Sequence, residues 1–513
     1  MSDDSYILNI AEKSVDMKLI KYLEKLDYKC IKGSTDIIIN DVVYDSRKAN
    51  EENAFICIEG AVTDGHKYIR NAIEQGCKVF VIQKDIESLQ ELSEPEVTVI
   101  KVNDTRIALA YMAEVQYDYP AEKLTTISIT GTKGKTTTSF MIRTILEQHG
   151  HKVGLIGTTG VYIGDKYIKT HNTTPESYDI QRFFSMMINE GCDSCVMEVS
   201  SQALKLNRTI GIEFDYGIFT NMSPDHIGEN EHADYADYVY CKSLLFKQCK
   251  HGIFNIDDKE TVNMTKNASC DIHTFGFDIN ADLHIDNIEY IVRPGFIGLA
   301  IDTAGDISEH FEIPTPGKFS AYNAMSALMT VKLIGVSIND MKKGLLNTFV
   351  KGRVEAVRVS DRFTLLIDYA HNAMSMESLL TTIREYKPKR VVSLFGCGGN
   401  RSELRRYEMG EISGKYADLS IITADNSRYE NVMDIIEDIK VGINKTNGKY
   451  VVIPDRKEAI KYSMLNAEEG DIVLLLGKGH EDYQEIEGVR YPFDERVIIK
   501  DILEEFKKEN INI

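Results

Sequence analysis

Apolar residues in this chain gather in short unbroken runs separated by polar and glycine-rich turns. Unbroken runs suit strands buried on both faces of a parallel sheet, whereas strict alternation marks a half-exposed strand. Runs at Val42–Tyr44, Ala54–Ile58 and Val79–Ile82 predict three early strands, with a helical stretch from Tyr68 to Glu74. The alternating run from Ile127 to Thr130 predicts a further strand. It ends on Gly131 and leads into a helix from about Thr136 to Gln148, which Gly150 stops. In the last third one theme appears four times: an apolar run delivers polar or glycine-rich residues. Leu365–Ile367 leads to Asp368-Tyr-Ala-His371-Asn372, and Val391–Phe395 leads to Gly396-Cys-Gly-Gly-Asn400-Arg401. Ser420–Ile422 leads to Asp425-Asn426-Ser427-Arg428, and Ile472–Leu476 leads to Gly477-Lys-Gly-His480-Glu481. Open α/β sheets bind ligands beyond the carboxyl ends of their strands, so these four ends predict one shared site. The pattern predicts an α/β fold in three regions, 1–120, 121–349 and 350–513.

The chemistry is densest at Gly131-Thr132-Lys133-Gly134-Lys135-Thr136-Thr137. Strand, glycine loop and helix N-terminus in that order form a cradle for phosphate. The glycines let backbone N–H groups approach phosphate oxygens, Lys135 would reach the outer phosphates, and the Thr136 hydroxyl would meet Mg²⁺. The spacing is shorter than the common G-x-x-x-x-G-K-[ST] form, because Ile129 stands where its first glycine would be. On its own such a loop is also a turn that opens a helix. Three more clusters follow: Met197-Glu198-Val-Ser200-Ser201, Phe219-Thr-Asn-Met-Ser-Pro-Asp225-His226, and Tyr238-Val-Tyr-Cys-Lys242 on a predicted helix. A carboxylate, an imidazole and a loop hydroxyl can share a divalent cation. Each alone also has a plain reading: an ion pair for Glu198, a turn residue for His226, a surface lysine for Lys242.

Composition narrows the field. With 59 Lys and Arg against 79 Asp and Glu, the net charge is −20, which argues against a nucleic-acid partner. No run approaches the roughly 20 apolar residues of a membrane span. The start, Met1-Ser-Asp-Asp-Ser5, is acidic and lacks an apolar signal core. Nine scattered cysteines argue against a disulfide framework, and Cys192-x-x-Cys195 has no second pair, so it reads as two small residues entering a strand. The expectation is a cytoplasmic protein acting on small anionic molecules.

Taken together, the clusters resemble the Mur ligases of peptidoglycan synthesis over nearly the whole chain. Gly131 to Thr137 is similar to that family's G-T-x-G-K-T-T loop, and Asp225-His226 to its metal-binding pair. Gly352-Arg353 resembles the opening of its C-terminal domain, and Asp368 to His371 its Asp-Tyr-Ala-His motif. Within the family the chain resembles the MurE type. Asp45-Ser46-Arg47 and Asp64-Gly65-His66 resemble the segments at the uridine end of the substrate.

The resemblance implies a UDP-binding α/β domain, a central P-loop ATPase-like domain with a mainly parallel sheet, and a C-terminal Rossmann-like domain. It implies an ATP-dependent ligase that adds a diamino acid to UDP-MurNAc-L-Ala-D-Glu through an acyl phosphate, in a chain expected to be a monomer. Residues 131–137 with Asn323, Arg353 and Asp368 would then bind ATP. Ser46, Asn172, Thr173, Thr174, Ser200 and Arg208 would bind the UDP-muramoyl peptide. Arg401, Asp425, Asn426, Arg428, Gly477 and Glu481 would bind the amino acid. Lys135, Glu198, His226 and Lys242 would be catalytic, with Thr136, Glu198 and His226 holding Mg²⁺ and Lys242 carrying a CO₂-derived carbamate. Arg428 favours meso-diaminopimelate, whose distal carboxylate suits a guanidinium. The corresponding motif in diaminopimelate-adding relatives is Asp-Asn-Pro-Arg; Ser427 replaces the proline here, and Gln202 stands where many relatives have histidine. L-lysine or another amino acid stays open as the alternative. A folylpolyglutamate synthase-like ligase and a non-catalytic nucleotide-binding scaffold are the more distant readings.

Overall fold

The structure is a computed structural model that describes residues 16–60, 63–85, 96–225, 227–228 and 231–513. The acidic start at Met1–Ser5 and His226 lie outside the described residues. The chain divides into two compact units, one ending at Phe275 and the other beginning at Gly276.

The first unit opens with a five-stranded sheet of β1 (Tyr28–Lys32), β2 (Asp41–Val43), β3 (Asn53–Ile56), β4 (Val79–Ile82) and β5 (Thr98–Val102), ordered β1-β5-β4-β3-β2. Strands β2 to β5 are parallel and β1 is antiparallel at the edge. The early apolar runs therefore lie on three central or flanking strands, and the helical stretch is a helix at Ile69–Glu74. A helix at Thr105–Gln116 packs on this sheet, and the Asp104 carboxylate caps its first N–H groups.

Next come β6 (Thr125–Thr130), β7 (Val153–Gly157), β8 (Gly160–Ile163), β9 (Lys166–Ile168), β10 (Ser194–Glu198), β11 (Phe214–Phe219), β12 (Cys249–Asn255) and β13 (Asp271–Gly276). They are ordered β9-β8-β7-β10-β6-β11-β12-β13, with β7 to β12 parallel where they neighbour one another and β8 and β9 antiparallel. β6 is central, so the carboxyl ends of β6, β10 and β11 lie side by side: Glu198 pairs with Ile129, and Phe219 with Thr130. Cys195 lies inside β10 and Cys192 leads into it, both buried, as the strand reading of that pair expects. The phosphate-loop helix runs Lys135–Gln148, one residue earlier than the pattern suggests.

The second unit begins with antiparallel β14 (Leu283–Arg293), β15 (Phe296–Gly305) and β16 (His310–Ile313), covered by a long helix at Lys318–Ile334. A six-stranded sheet follows: β17 (Glu355–Val357), β18 (Thr364–Asp368), β19 (Arg390–Phe395), β20 (Leu419–Ile422), β21 (Tyr450–Val452) and β22 (Asp471–Leu476). Its order is β17-β18-β22-β19-β20-β21, parallel except for β17. The four apolar runs of the last third are the four central neighbours β18, β22, β19 and β20, and every residue of β18 and β22 is buried. Helices on the sheet leave its strands no polar face, which is why these runs lack alternation. A hairpin of β23 (Tyr483–Ile486) and β24 (Val489–Pro492) follows the last of these strand ends.

Candidate active site

In the first unit the loop after β6 is fixed by the loop after β11. Thr132 and Lys133 donate their N–H groups to the carbonyl and the side-chain oxygen of Asn221, at 2.9 and 3.0 Å. The Thr220 hydroxyl and the Asn221 amide return bonds to the Lys133 carbonyl at 2.8 and 2.9 Å. A Cβ at Gly131 would run into Thr220 Oγ1 and stand 3.0 Å from the Asn221 carbonyl, so glycine is required at this close approach. Gly134, at φ +87°, turns the chain into the helix.

Two lysines converge on one carbonyl. Lys135 Nζ donates to Gly131 O at 2.8 Å and to Thr132 O at 3.2 Å, and Lys242 Nζ donates to Gly131 O at 3.0 Å. Lys242 stands near the end of a helix at Tyr235–Ser243, 1 % exposed, with its ammonium 4.7 Å from the Tyr238 ring centroid. Burial, and after it the charge of Lys135, push the Lys242 amine well below the usual lysine range. Burial lowers Lys135 as well.

Glu198 closes the cluster. Its carboxylate is fully buried at the end of β10 and accepts from the Thr136 hydroxyl at 3.1 Å, the Thr158 N–H at 3.1 Å and the Thr158 hydroxyl at 3.0 Å. Burial raises its pKa, against the opposing pull of Lys135. Gly157 makes room for it: a Cβ there would overlap Glu198 Oε1 and stand 2.9 Å from the carboxyl carbon. Gly157→Ala is therefore expected to push the carboxylate aside and lower kcat by about a hundredfold with substrates saturating, since small misplacements at a reacting centre carry such costs. An unchanged kcat would show that the position of Glu198 does not matter.

Of the residues expected to touch the muramoyl peptide, Thr173, Thr174, Ser200 and Arg208 join the same cluster. The Thr158 and Thr173 hydroxyls are 3.0 Å apart. Thr174 Oγ1 donates to the Glu198 carbonyl at 2.9 Å and accepts from the Ser200 N–H at 3.0 Å. Arg208 donates to the Thr174 carbonyl at 3.0 Å and pairs with Glu176 at 2.7 Å, and Arg106 takes the other oxygen of Glu176 at 3.1 Å. Ser200 also caps the helix at Ser201–Lys205. The Asn172 carbonyl accepts from the Thr170 hydroxyl at 3.2 Å. Ser46 opens a short 3-10 turn in the β2–β3 connection, capped by Asp45.

In the second unit the four strand ends meet. Gly477 N donates to the Asp368 carbonyl at 3.1 Å, and a Cβ on Gly477 would lie 2.6 Å from Asp425 Oδ2. Asn426 Nδ2 donates to Glu481 Oε2 at 2.9 Å. Arg428, at φ +52°, is held through its backbone by the β23 hairpin, and its Nη1 donates to the Gly399 carbonyl at 2.7 Å. Arg401 is exposed; it and Arg428 flank Gly398, at 3.9 and 3.8 Å from a Cβ placed there. Asp368 is buried, accepts from the Val354 and Ala370 N–H groups at 2.8 and 2.7 Å, and has its pKa raised by burial. Arg353 lies over the Tyr369 ring, 5.5 Å from its centroid. Asn323 is buried on the Lys318–Ile334 helix and makes no hydrogen bond to Arg353 or Asp368 among the described residues.

Gly157, Thr158, Glu176 and Arg106 were not singled out from the sequence, and Thr220, Asn221 and Lys478 stood inside quoted motifs without a role of their own. Thr158 was within reach, because Val153–Gly157 is another apolar run that delivers a threonine at a strand end.

Sequence comparison places these features in a family. Residues 38–117 match the Mur ligase family, catalytic domain; residues 129–331 match the Mur ligase middle domain; residues 352–479 match the Mur ligase, glutamate ligase domain. The UDP-N-acetylmuramoyl-L-alanyl-D-glutamate–2,6-diaminopimelate ligase 1 of Clostridium acetobutylicum is 43% identical over 493 residues, covering 95% of this chain and 100% of that protein. The enzyme so named from Caldanaerobacter subterraneus subsp. tengcongensis is 42% identical, covering 96% and 100%. A solved structure of a UDP-N-acetylmuramoyl-L-alanyl-D-glutamate–2,6-diaminopimelate ligase superposes with a TM-score of 0.75 at 26% identity, covering 96% of this chain and all of that one. The chain belongs to the Mur ligase family and, within it, to the MurE type.

Proposed function

We propose that this protein joins meso-diaminopimelate to UDP-MurNAc-L-Ala-D-Glu at the expense of ATP, as a cytoplasmic step of peptidoglycan precursor synthesis. The observation that carries this reading is the convergence of Lys135, Lys242, Thr136 and Glu198 at the β6 and β10 strand ends, beside Thr173, Thr174 and Arg208. The names of the relatives at 42 and 43% identity support the substrate and the amino acid. The proposed domains are 1–120 for the UDP-linked substrate, 121–349 for ATP and 350–513 for the amino acid.

A carboxylate is a poor electrophile, so amide formation needs activation. The γ-phosphoryl group of ATP passes to the D-glutamyl carboxylate, giving an acyl phosphate and ADP. The incoming amine then attacks the acyl carbon, loses a proton and expels phosphate. Both partners in the first transfer are anions, so positioning and charge neutralisation dominate. The loop Gly131–Thr137 would cradle the triphosphate, with Lys135 meeting the transferred group. Asn323, Arg353 and Asp368 are assigned to the nucleotide on the family resemblance alone. Thr136 and Glu198 offer hard oxygen donors that fit Mg²⁺, and a cation beside Glu198 would offset the burial that raises its pKa. His226 is proposed to hold a second metal ion. Bound Mg²⁺ would supply charge neutralisation at the phosphoryl oxygens.

Lys242 is proposed to carry a carbamate: its neutral amine adds to CO₂ and releases one proton. The depressed pKa favours the neutral amine that this reaction needs.

Arg428 is assigned to the distal carboxylate of diaminopimelate, and Asn426 and Glu481 to its distal amine and carboxylate ends. Arg428→Met is expected to raise the KM for diaminopimelate by about ten- to a hundredfold, the range of a lost hydrogen bond between charged groups. An unchanged KM would remove Arg428 from that role. The reading as a whole is tested by ADP formation. It should require the UDP-linked dipeptide, whereas ATP binding without substrate-dependent phosphate release would point to the scaffold.

A further inference from the structure

Lys478 follows the last buried strand, and its side chain is 0 % exposed. Its ammonium donates to the Tyr483 carbonyl at 2.7 Å, to Asn426 Oδ1 at 3.1 Å and to Glu481 Oε2 at 3.4 Å, with Asp425 Oδ1 at 3.6 Å. The rings of Tyr483 and Phe493 stand 5.8 and 5.9 Å from it, centroid to nitrogen. A buried ammonium with three protons is tolerated when each finds an acceptor and a carboxylate is near. Here the three acceptors lie on three separate segments: the loop after β20, the loop after β22 and the β23 hairpin.

The arrangement also fixes one amide. Asn426 Oδ1 accepts from Lys478 and, at 2.9 Å, from the Glu485 N–H, while Asn426 Nδ2 donates to Glu481 Oε2. Turning that amide over would set its NH₂ group against the ammonium. Lys478, the Glu485 N–H and Glu481 thus hold Asn426 in one orientation, and Lys478 and Asn426 engage Glu481 through the same oxygen, Oε2.

We propose that Lys478 is the positioning residue that selects the amino-acid substrate. It holds Asn426 and Glu481 in register, and its charge balances Asp425 and Glu481 so that the site accepts the zwitterionic end of a diamino dicarboxylic acid. This rests on the assignment of residues 425–428 and 477–481 to the amino acid. Without Lys478, Asp425 and Glu481 would lose the ammonium that stands 3.6 and 3.4 Å from them, while Glu485 would stay 3.8 Å from Arg428 Nε. Such a site discriminates against an added carboxylate and favours a purely cationic side chain.

The test compares Lys478→Met, Lys478→Gln and Lys478→Arg with the full-length wild type, each first checked for a cooperative thermal transition. KM and kcat are measured for meso-diaminopimelate, L-lysine, ATP and UDP-MurNAc-L-Ala-D-Glu. Lys478→Met is expected to raise the KM for diaminopimelate by about tenfold, with ATP and the UDP-linked substrate unaffected. The ratio of kcat/KM for diaminopimelate over L-lysine is expected to fall by a similar factor, and Lys478→Arg to keep most of that ratio. If Lys478→Met does not fold, Lys478→Gln decides, because it keeps a hydrogen-bonding side chain without the charge and is expected to raise the KM for diaminopimelate. An unchanged KM in folded Lys478→Met or Lys478→Gln would overturn the proposal, as would equal rises for all three substrates. A wild type that turns over neither amino acid would remove the ligase reading itself, and this proposal with it.

Discussion

Lys242→Ala is expected to lower kcat by about a hundred- to a thousandfold, the cost of removing a preorganised charged group from a reacting centre. The KM for diaminopimelate is expected to be unchanged, because that amino acid is assigned to residues 401–481. The reason lies in the setting of the side chain. Lys242 is buried, shares the Gly131 carbonyl with Lys135, and has its pKa pushed well down by burial and by that neighbour. A cation here would add to the charge of Lys135; a carbamate reverses the sign. Wild-type activity should therefore fall in CO₂-depleted buffer and return on adding bicarbonate, and intact mass measured without acid should show the added carboxyl group. Full activity of Lys242→Ala, or a bare lysine in the fully active enzyme, would contradict the assignment.

Glu198→Gln is expected to lower kcat by about a hundredfold and to raise the Mg²⁺ concentration needed for half-maximal rate. The amide keeps the shape and can still accept from Thr136 or Thr158, so the fold should survive and the thermal midpoint should change little. What it lacks is the negative charge that a divalent cation requires. Glu198→Asp should not restore the rate, because the shorter chain cannot reach both threonines, which now hold the carboxylate at 3.0 to 3.1 Å. Titrating Mg²⁺ at saturating ATP separates this from a general loss of activity: a variant with reduced kcat and an unchanged Mg²⁺ requirement would move Glu198 out of the metal's reach.

The central strands of the last third were legible because this fold buries nearly all of their residues. β18, β19, β20 and β22 read as unbroken apolar runs, and the parallel-sheet rule places their polar followers together. The contacts among Asp368, Gly477, Asp425, Asn426 and Glu481 follow that rule. Gly131 and Gly134 were legible as a phosphate turn because glycine alone allows the close backbone approach at Gly131 and takes the positive φ of Gly134 at no steric cost.

Other features depend on three-dimensional neighbours and left little local trace. Gly157 matters because Glu198, far along the chain, needs the volume of a missing Cβ. Lys478 sits in a motif that drew attention to Gly477 and Glu481, and nothing in its own position says that its ammonium turns inward to Asn426. Thr220 and Asn221 serve the phosphate loop from a neighbouring strand, a relation set by the β6–β11 register.

The most direct test of the central claim is phosphate release with ATP, Mg²⁺ and UDP-MurNAc-L-Ala-D-Glu, comparing meso-diaminopimelate with L-lysine and confirming the product by mass. The expected result is release dependent on diaminopimelate, with a product heavier than the UDP-linked dipeptide by one diaminopimelyl residue. Release with lysine alone would keep the ligase and contradict the assignment of Arg428, and no release with either would contradict the proposed reaction.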